Sequence, residues 1–96
     1  MAAYLIADTL LTDPVLYEEY KRQVKPLAET FGGEYVARGG ALIVKESQLW
    51  SPTRVVVVRF ASVDHANRFY ESDEYQRLLG ISRQAARRTV LIVEGS

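Results

Sequence analysis

"RVVVVRFA", residues 54–61, decides the fold. Four consecutive valines bounded by Arg54 and Arg59 leave no alternation of wet and dry positions, so the run reads as a central strand covered on both faces. Its neighbours and its cover must come from the elements on either side. Upstream, "EYVARGGALIVKE" (34–46) reads as a strand interrupted at its middle by Gly39-Gly40, with "SQLWSPT" (47–53) as the turn region that follows. Further back, Tyr4–Leu11 is an apolar strand broken only by Asp8 and Thr9. "TDPVLYEEY" (12–20) then opens a helix, with Asp13 as N-cap and Pro14 at the first helical position. Leu16, Tyr20, Val24, Leu27 and Phe31 recur at steps of three and four, giving one apolar stripe. Pro26 lies inside that helix and predicts a kink or break near Arg22, and Gly32-Gly33 ends it.

Downstream, Ser62 caps a helix in "VDHANRFYE" (63–71), where Ala66, Phe69 and Tyr70 share a face. Ser72, Asp73 and Glu74 restart a short helical segment through Tyr75, Leu78 and Leu79, which Gly80 is expected to stop. "RTVLIVE" (88–94) is the last strand. The order is β-α-β-β-α-β, an α+β ferredoxin-like sandwich with an antiparallel sheet. Right-handed crossovers are expected to set 4–11 and 54–61 side by side, these two running parallel. Helices cover one sheet face. The other carries too much Val, Ile and Leu to face water, which predicts face-to-face pairing of two copies as a dimeric α/β barrel.

Ninety-six residues bound the chain to one domain, 1–96, and a chain this short gains from pairing with a second copy. Twelve basic and twelve acidic residues cancel, which argues against a nucleic-acid partner or a polybasic membrane surface. There is no cysteine, hence no disulfide, thiol nucleophile or Cys-type zinc site. "MAAYLIADTLLTDP" has no basic leader segment and is soon interrupted by charge and proline, so neither a signal peptide nor a membrane span is expected. The expected location is the cytoplasm. No metal-ligand spacing and no G-x-G-x-x-G fingerprint occurs, and no cofactor is expected.

Three stretches carry a family resemblance: "YLIADTLLTDPVLYEEYKRQVKPLAETFGGEYVARGG" (4–40), "FASVDHANRFYESDEYQ" (60–76) and "VLIVEG" (90–95). Together they resemble the family called domain of unknown function 1330, within the dimeric α/β-barrel superfamily. The resemblance covers nearly the whole chain. It implies the ferredoxin-like dimer and no assigned reaction, since the superfamily spans cofactor-free monooxygenases, lactone isomerases, haem enzymes and stress proteins. Members usually carry an arginine shortly after the "EYQ" motif; in "GISRQAARR" (80–88) that arginine, Arg83, is displaced by one residue.

The candidate ligand-binding residues are Asp8, Tyr20, Arg38, Gly39, Gly40, Arg59, Tyr75 and Arg83. Gly39-Gly40 reads first as a bulge or bend that lets the strand curl, and second as a pocket wall beside Arg38. Asp8 and Arg59 interrupt neighbouring strands and could meet on the open face. They read as a structural ion pair at the dimer seam, or else as a polar cavity floor with Asp8 as proton acceptor and Arg59 as anion anchor. Arg38 is a second anchor for a carboxylate or enolate oxygen. Tyr20 and Tyr75 are candidates at the cavity mouth, although tyrosines at such spacings are more often core. His65, the one histidine, reads as a surface residue, and Trp50 as an interface or lid residue. Two functions follow. One is a homodimer binding a small organic molecule in a mostly apolar cavity, with cofactor-independent catalysis as its extension. The other is a non-catalytic structural or stress-associated dimer with a filled barrel.

Overall fold

The computed structural model describes residues 1–96. In chain order the elements are β1 (Ala3–Leu11), α1 (Pro14–Thr30), β2 (Glu34–Arg38), β3 (Val55–Phe60), α2 (Val63–Glu71), α3 (Asp73–Ala85) and β4 (Ala86–Glu94). The four strands form one sheet in the order β2-β3-β1-β4, and every neighbouring pair is antiparallel. This is the ferredoxin-like α+β arrangement expected from the order of elements. The valine run is indeed interior to the sheet, but its direction relative to β1 is the reverse of expectation. Each helical crossover passes over one strand, so β1 runs parallel to β2 and leaves a gap. β3 returns from β2 to fill that gap and therefore opposes both.

Strand alternation sorts the residues between two faces. Leu5 and Ala7 of β1, Val58 and Phe60 of β3, and Ala86 of β4 are buried with Tyr17, Tyr20, Val24 and Ala28 of α1, and with Phe69, Tyr75 and Leu79 of the later helices. The intervening positions, including Ile6, Val57, Leu91 and Val93, form the other face. Leu91 and Val93 lie within β4 and are 38% and 45% exposed, so the single chain leaves them partly open to water. The valine strand is thus helix-covered on one face only.

Local chemistry explains most boundaries. The Asp13 carboxylate accepts from Leu16 N at 3.0 Å, and Pro14 opens α1. α1 continues through Pro26 to Thr30, with Pro26 on an exposed side where the carbonyl it leaves unbonded can meet water. Ser72 closes α2 and caps α3, its hydroxyl accepting from Tyr75 N. Gly80 does not stop α3. Leu78, Leu79, Ser82 and Ala85 are all buried, and that packing outweighs the single glycine's cost of about 1 kcal/mol.

The second strand is shorter than expected. It ends at Arg38, and 39–54 is an irregular connection rather than a resumed strand and turn. A register shift lies between Tyr35 and Ala37, upstream of the glycines, so Gly39-Gly40 is not the bulge. Gly39 instead terminates the strand in a left-handed conformation, φ +70°, while donating to Val55 O at 3.0 Å. Its φ suits glycine. A Cβ there would also stand 2.8 Å from Arg54 Nε. β4 begins at Ala86, two residues before the expected start, and this places Arg88 inside the strand.

Candidate functional site: an arginine and tyrosine cavity under the helices

Ala86, Arg88, Val90 and Ile92 alternate along β4 on the helix-facing side, so Arg88 projects into the core layer. Its guanidinium donates from Nη1 to Ser82 Oγ at 2.8 Å and from both Nη atoms to Tyr75 Oη at 3.3 Å. It also sits 5.0 Å over the ring of Tyr20, whose hydroxyl is 2.8 Å from that of Tyr75. No carboxylate reaches it. The chain's four ion pairs are all between neighbouring turns of α1 or α2. Arg88 Nε is buried without a partner, and so is Oγ1 of Thr9. A half-buried cation held only by neutral groups keeps part of the desolvation cost, and each unmet buried donor adds to it.

Burial opposes the charge on Arg88, yet the phenolic oxygens of Tyr20, Tyr75 and Tyr17 more than offset it and hold the guanidinium's pKa above its usual value. Burial first, and then Tyr75, raises the Tyr20 phenol far above its usual value, against the opposing pull of Arg88. Burial likewise pushes Tyr35 up to about 12, although Arg38 pulls the other way. These two phenols are neutral at neutral pH: they can donate or accept hydrogen bonds but are not bases.

These groups border a cavity of about 40 Å³ between the sheet and α1, lined by Thr9, Tyr17, Tyr20, Tyr35, Tyr75 and Arg88 among mostly apolar side chains. That is room for about three waters, or an acid group with a carbon or two. Its charged lining is Lys21, Arg38, Arg54 and Arg88, with no aspartate or glutamate. Lys21, Arg38 and Arg54 also border a wider outer basin of about 530 Å³, shared with Glu18, Arg22, Lys25 and Pro26. Arg38 is fixed there by donating to Lys21 O at 3.0 Å and lies 5.0 Å over the Tyr35 ring. Arg54 packs against Gly39, the one place where that glycine touches the site.

Of the residues singled out in the sequence, Tyr20, Arg38 and Tyr75 come together at this cavity, and Gly39 adjoins it through Arg54. The others do not line it. Asp8 and Arg59 share the open face but not a position: Asp8 stands opposite Val55, and Arg59 opposite Tyr4, four residues along the ladder. They form no ion pair. Asp8 instead accepts from Trp50 Nε1 at 2.9 Å, Thr53 N at 2.9 Å, Thr53 Oγ1 at 3.3 Å and Arg54 N at 3.1 Å. Burial raises its pKa, but these donors, led by the two backbone amides, outweigh burial and leave it below its usual value. The carboxylate is a poor proton acceptor, and Trp50 is part of its clasp. Gly40 borders open space, and Arg59 and Arg83 are exposed, Arg83 on the outer side of α3. His65 is exposed, with Nδ1 2.7 Å from Ser62 Oγ.

Arg88, Thr9, Tyr35 and Arg54 were not legible as site residues. The signal for Arg88 was its parity with Val90 and Ile92, already present in the expected strand 88–94.

The family model described as "Domain of unknown function (DUF1330)" matches residues 2–96. The chain belongs to the DUF1330 family. No curated protein sequence matches it. Among solved structures, this DUF1330 chain is similar to RPA0582 from Rhodopseudomonas palustris, a protein of unknown function, at 19% identity and TM-score 0.72 over 99% of this chain and 82% of that one. It is similar to SnoaB from Streptomyces nogalater, described as a cofactor-independent oxygenase, at 9% identity and TM-score 0.70 over 99% and 93%. A protein of unknown function from Bacteroides fragilis, described as dimeric with a ferredoxin-like fold, aligns at 12% identity and TM-score 0.63 over 98% and 96%. Identities this low speak for the fold alone. No helix of the chain is long and apolar enough to cross a membrane.

Proposed function

We propose that this DUF1330 protein is a homodimer that binds a small organic molecule through an acidic oxygen, a carboxylate, phenolate or enolate, in the cavity beneath its helices. The observation that carries this is the half-buried Arg88 guanidinium, which lacks a carboxylate and leaves its buried Nε unbonded, across the ladder from the unmet Thr9 hydroxyl. An anion seated there compensates the charge and fills both vacant partners. Tyr20 and Tyr75 orient it. The apolar remainder of the lining favours a compact carbon skeleton.

The pairing of copies rests on the uncovered face, where Leu91 and Val93 are solvated in the single chain. The dimeric Bacteroides protein of the same fold supports it. SnoaB supports the view that the same frame can serve chemistry without a cofactor. In this chain the cavity supplies donors and a fixed cation but no aspartate, glutamate or histidine. Its contribution to a reaction is therefore to stabilise negative charge developing on a bound oxygen, not to remove a proton.

The small volume of the cavity favours a second reading, a dimer with a filled interior and no ligand. One experiment separates the two: native mass spectrometry of untreated protein, followed by NMR titration with acetate, butyrate and pyruvate. Binding that perturbs Tyr20 and Tyr75 and disappears in Arg88→Met supports a ligand site. A clean dimer indifferent to all three acids supports the filled interior, and a monomer removes the argument from the uncovered face.

A further inference from the structure

The outer basin differs from the inner cavity in kind. Its lining is charged except for Pro26, whereas the inner cavity is mostly apolar and includes Arg88. Three cationic side chains, Lys21, Arg38 and Arg54, border both, so the two spaces adjoin. Around the basin, Lys21, Arg22 and Lys25 are each paired with a glutamate of α1: Glu18, Glu19 and Glu29 respectively. Arg38 and Arg54 have no carboxylate partner. Each is positioned by something other than a charge: Arg38 by the Lys21 carbonyl and the Tyr35 ring, Arg54 by the bare backbone at Gly39. A chain with as many acids as bases has left every acid out of the inner lining and two guanidiniums unpaired at its mouth.

We propose that Arg38 and Arg54 form a second oxyanion subsite, and that the ligand class is a short organic molecule with an acidic group at each end. One end sits on Arg88, a small apolar link crosses the narrow cavity, and the other end sits at the mouth. This rests on the Arg88 reading above and adds the length and charge of the ligand. The inner cavity admits an acid group with a carbon or two, so the remainder must lie toward the basin. Guanidiniums without carboxylate partners favour a planar carboxylate or a phosphate, to which they can donate in pairs. Two tethered anions bind better than one because the second joins without a further loss of translational freedom, provided that the tether matches the span.

The test is an NMR titration of the full-length protein at low salt with malonate, succinate, glutarate and adipate, each beside the monocarboxylate of equal chain length. Inorganic phosphate added in competition reports whether the mouth prefers phosphate to carboxylate. One diacid is expected to bind about tenfold more tightly than its matching monoacid, with weaker binding of shorter and longer diacids. In Arg38→Gln/Arg54→Gln that advantage should shrink to about twofold or less, while monoacid binding is retained. Equal affinity of monoacids and diacids in the native protein overturns the outer subsite and leaves the Arg88 reading standing. An undiminished diacid advantage in the double variant also overturns it. If neither acid series binds, the inner reading fails and the outer one falls with it.

Discussion

Asp8 and Arg88 are the two charges that the fold draws into its sheet, one on each face, and they are treated in opposite ways. Asp8 faces away from the helices and is met by four donors from residues 50–54. Arg88 faces the helices and meets two hydroxyls and a ring, with one nitrogen unbonded. A charge whose valences are filled from its own chain is structural: it stitches the irregular 39–54 connection to β1. A charge left short is available to something else. The same sheet therefore carries a fastening on one side and a vacancy on the other.

The largest expected effect breaks the fastening. Asp8→Ala leaves the Trp50 indole and the Thr53 and Arg54 amides without their acceptor, and should cost about 3 kcal/mol of stability by urea unfolding. A loss below about 1 kcal/mol would mean that water replaces the carboxylate readily and that the clasp is incidental. The pH dependence follows in sign. The folded-state pKa of Asp8 lies below its usual value of 3.8, so its contribution is fully present above that value and is lost as pH falls through the folded pKa. Acid unfolding of the native protein should steepen below pH 3.8. Asp8→Asn should lack that component, and identical acid profiles for the two proteins would sink the assignment.

Filling the vacancy should act the other way. Arg88→Met replaces an uncompensated cation with an apolar chain of similar reach, and stability should stay level or rise by about 1 kcal/mol, even as acetate binding is lost. The Ser82 and Tyr75 hydroxyls lose a donor, which limits the gain. A loss of more than about 2 kcal/mol would make Arg88 a structural tie like Asp8 and erase the contrast between the faces.

How much of this could be read from residues alone depends on the range of the interaction that decides it. Helix starts at Asp13, Ser62 and Ser72 are set within one turn, and each was legible. The order of elements carried the sheet, because the valine run admits few positions. Asp8 and Arg59 share one face, but whether they meet depends on register and direction, and the antiparallel ladder puts them at opposite ends. The carboxylate's real partners are 42 to 46 residues away, in a connection whose path no local rule dictates. Arg88 stood within the expected strand at the parity of Val90 and Ile92, but a charge at a strand's first residue does not show which face it takes. Tyr20 and Tyr75 were legible as candidates because each lies on an apolar stripe, yet their hydroxyl contact spans 55 residues and needs α1 packed on α3.

Gly80 supplies the smallest effect and calibrates the others. It lies on the exposed side of α3, and a Cβ there would meet nothing within 4 Å. It serves neither face of the sheet. Gly80→Ala should therefore stabilise by about 0.7 kcal/mol, chiefly by restricting the unfolded chain and restoring helix propensity. Gly80 is remote from the Asp8 clasp, so the gain should be the same in the native and Asp8→Ala backgrounds by urea unfolding. If Gly80→Ala moves the helical circular-dichroism transition but not the Trp50 fluorescence transition, the clasp and α3 unfold in separate steps, and the Asp8 loss measures a local opening of residues 39–54, not the stability of the whole sheet. Equal shifts of both transitions place the fastening within the same cooperative unit as the helices that roof the cavity.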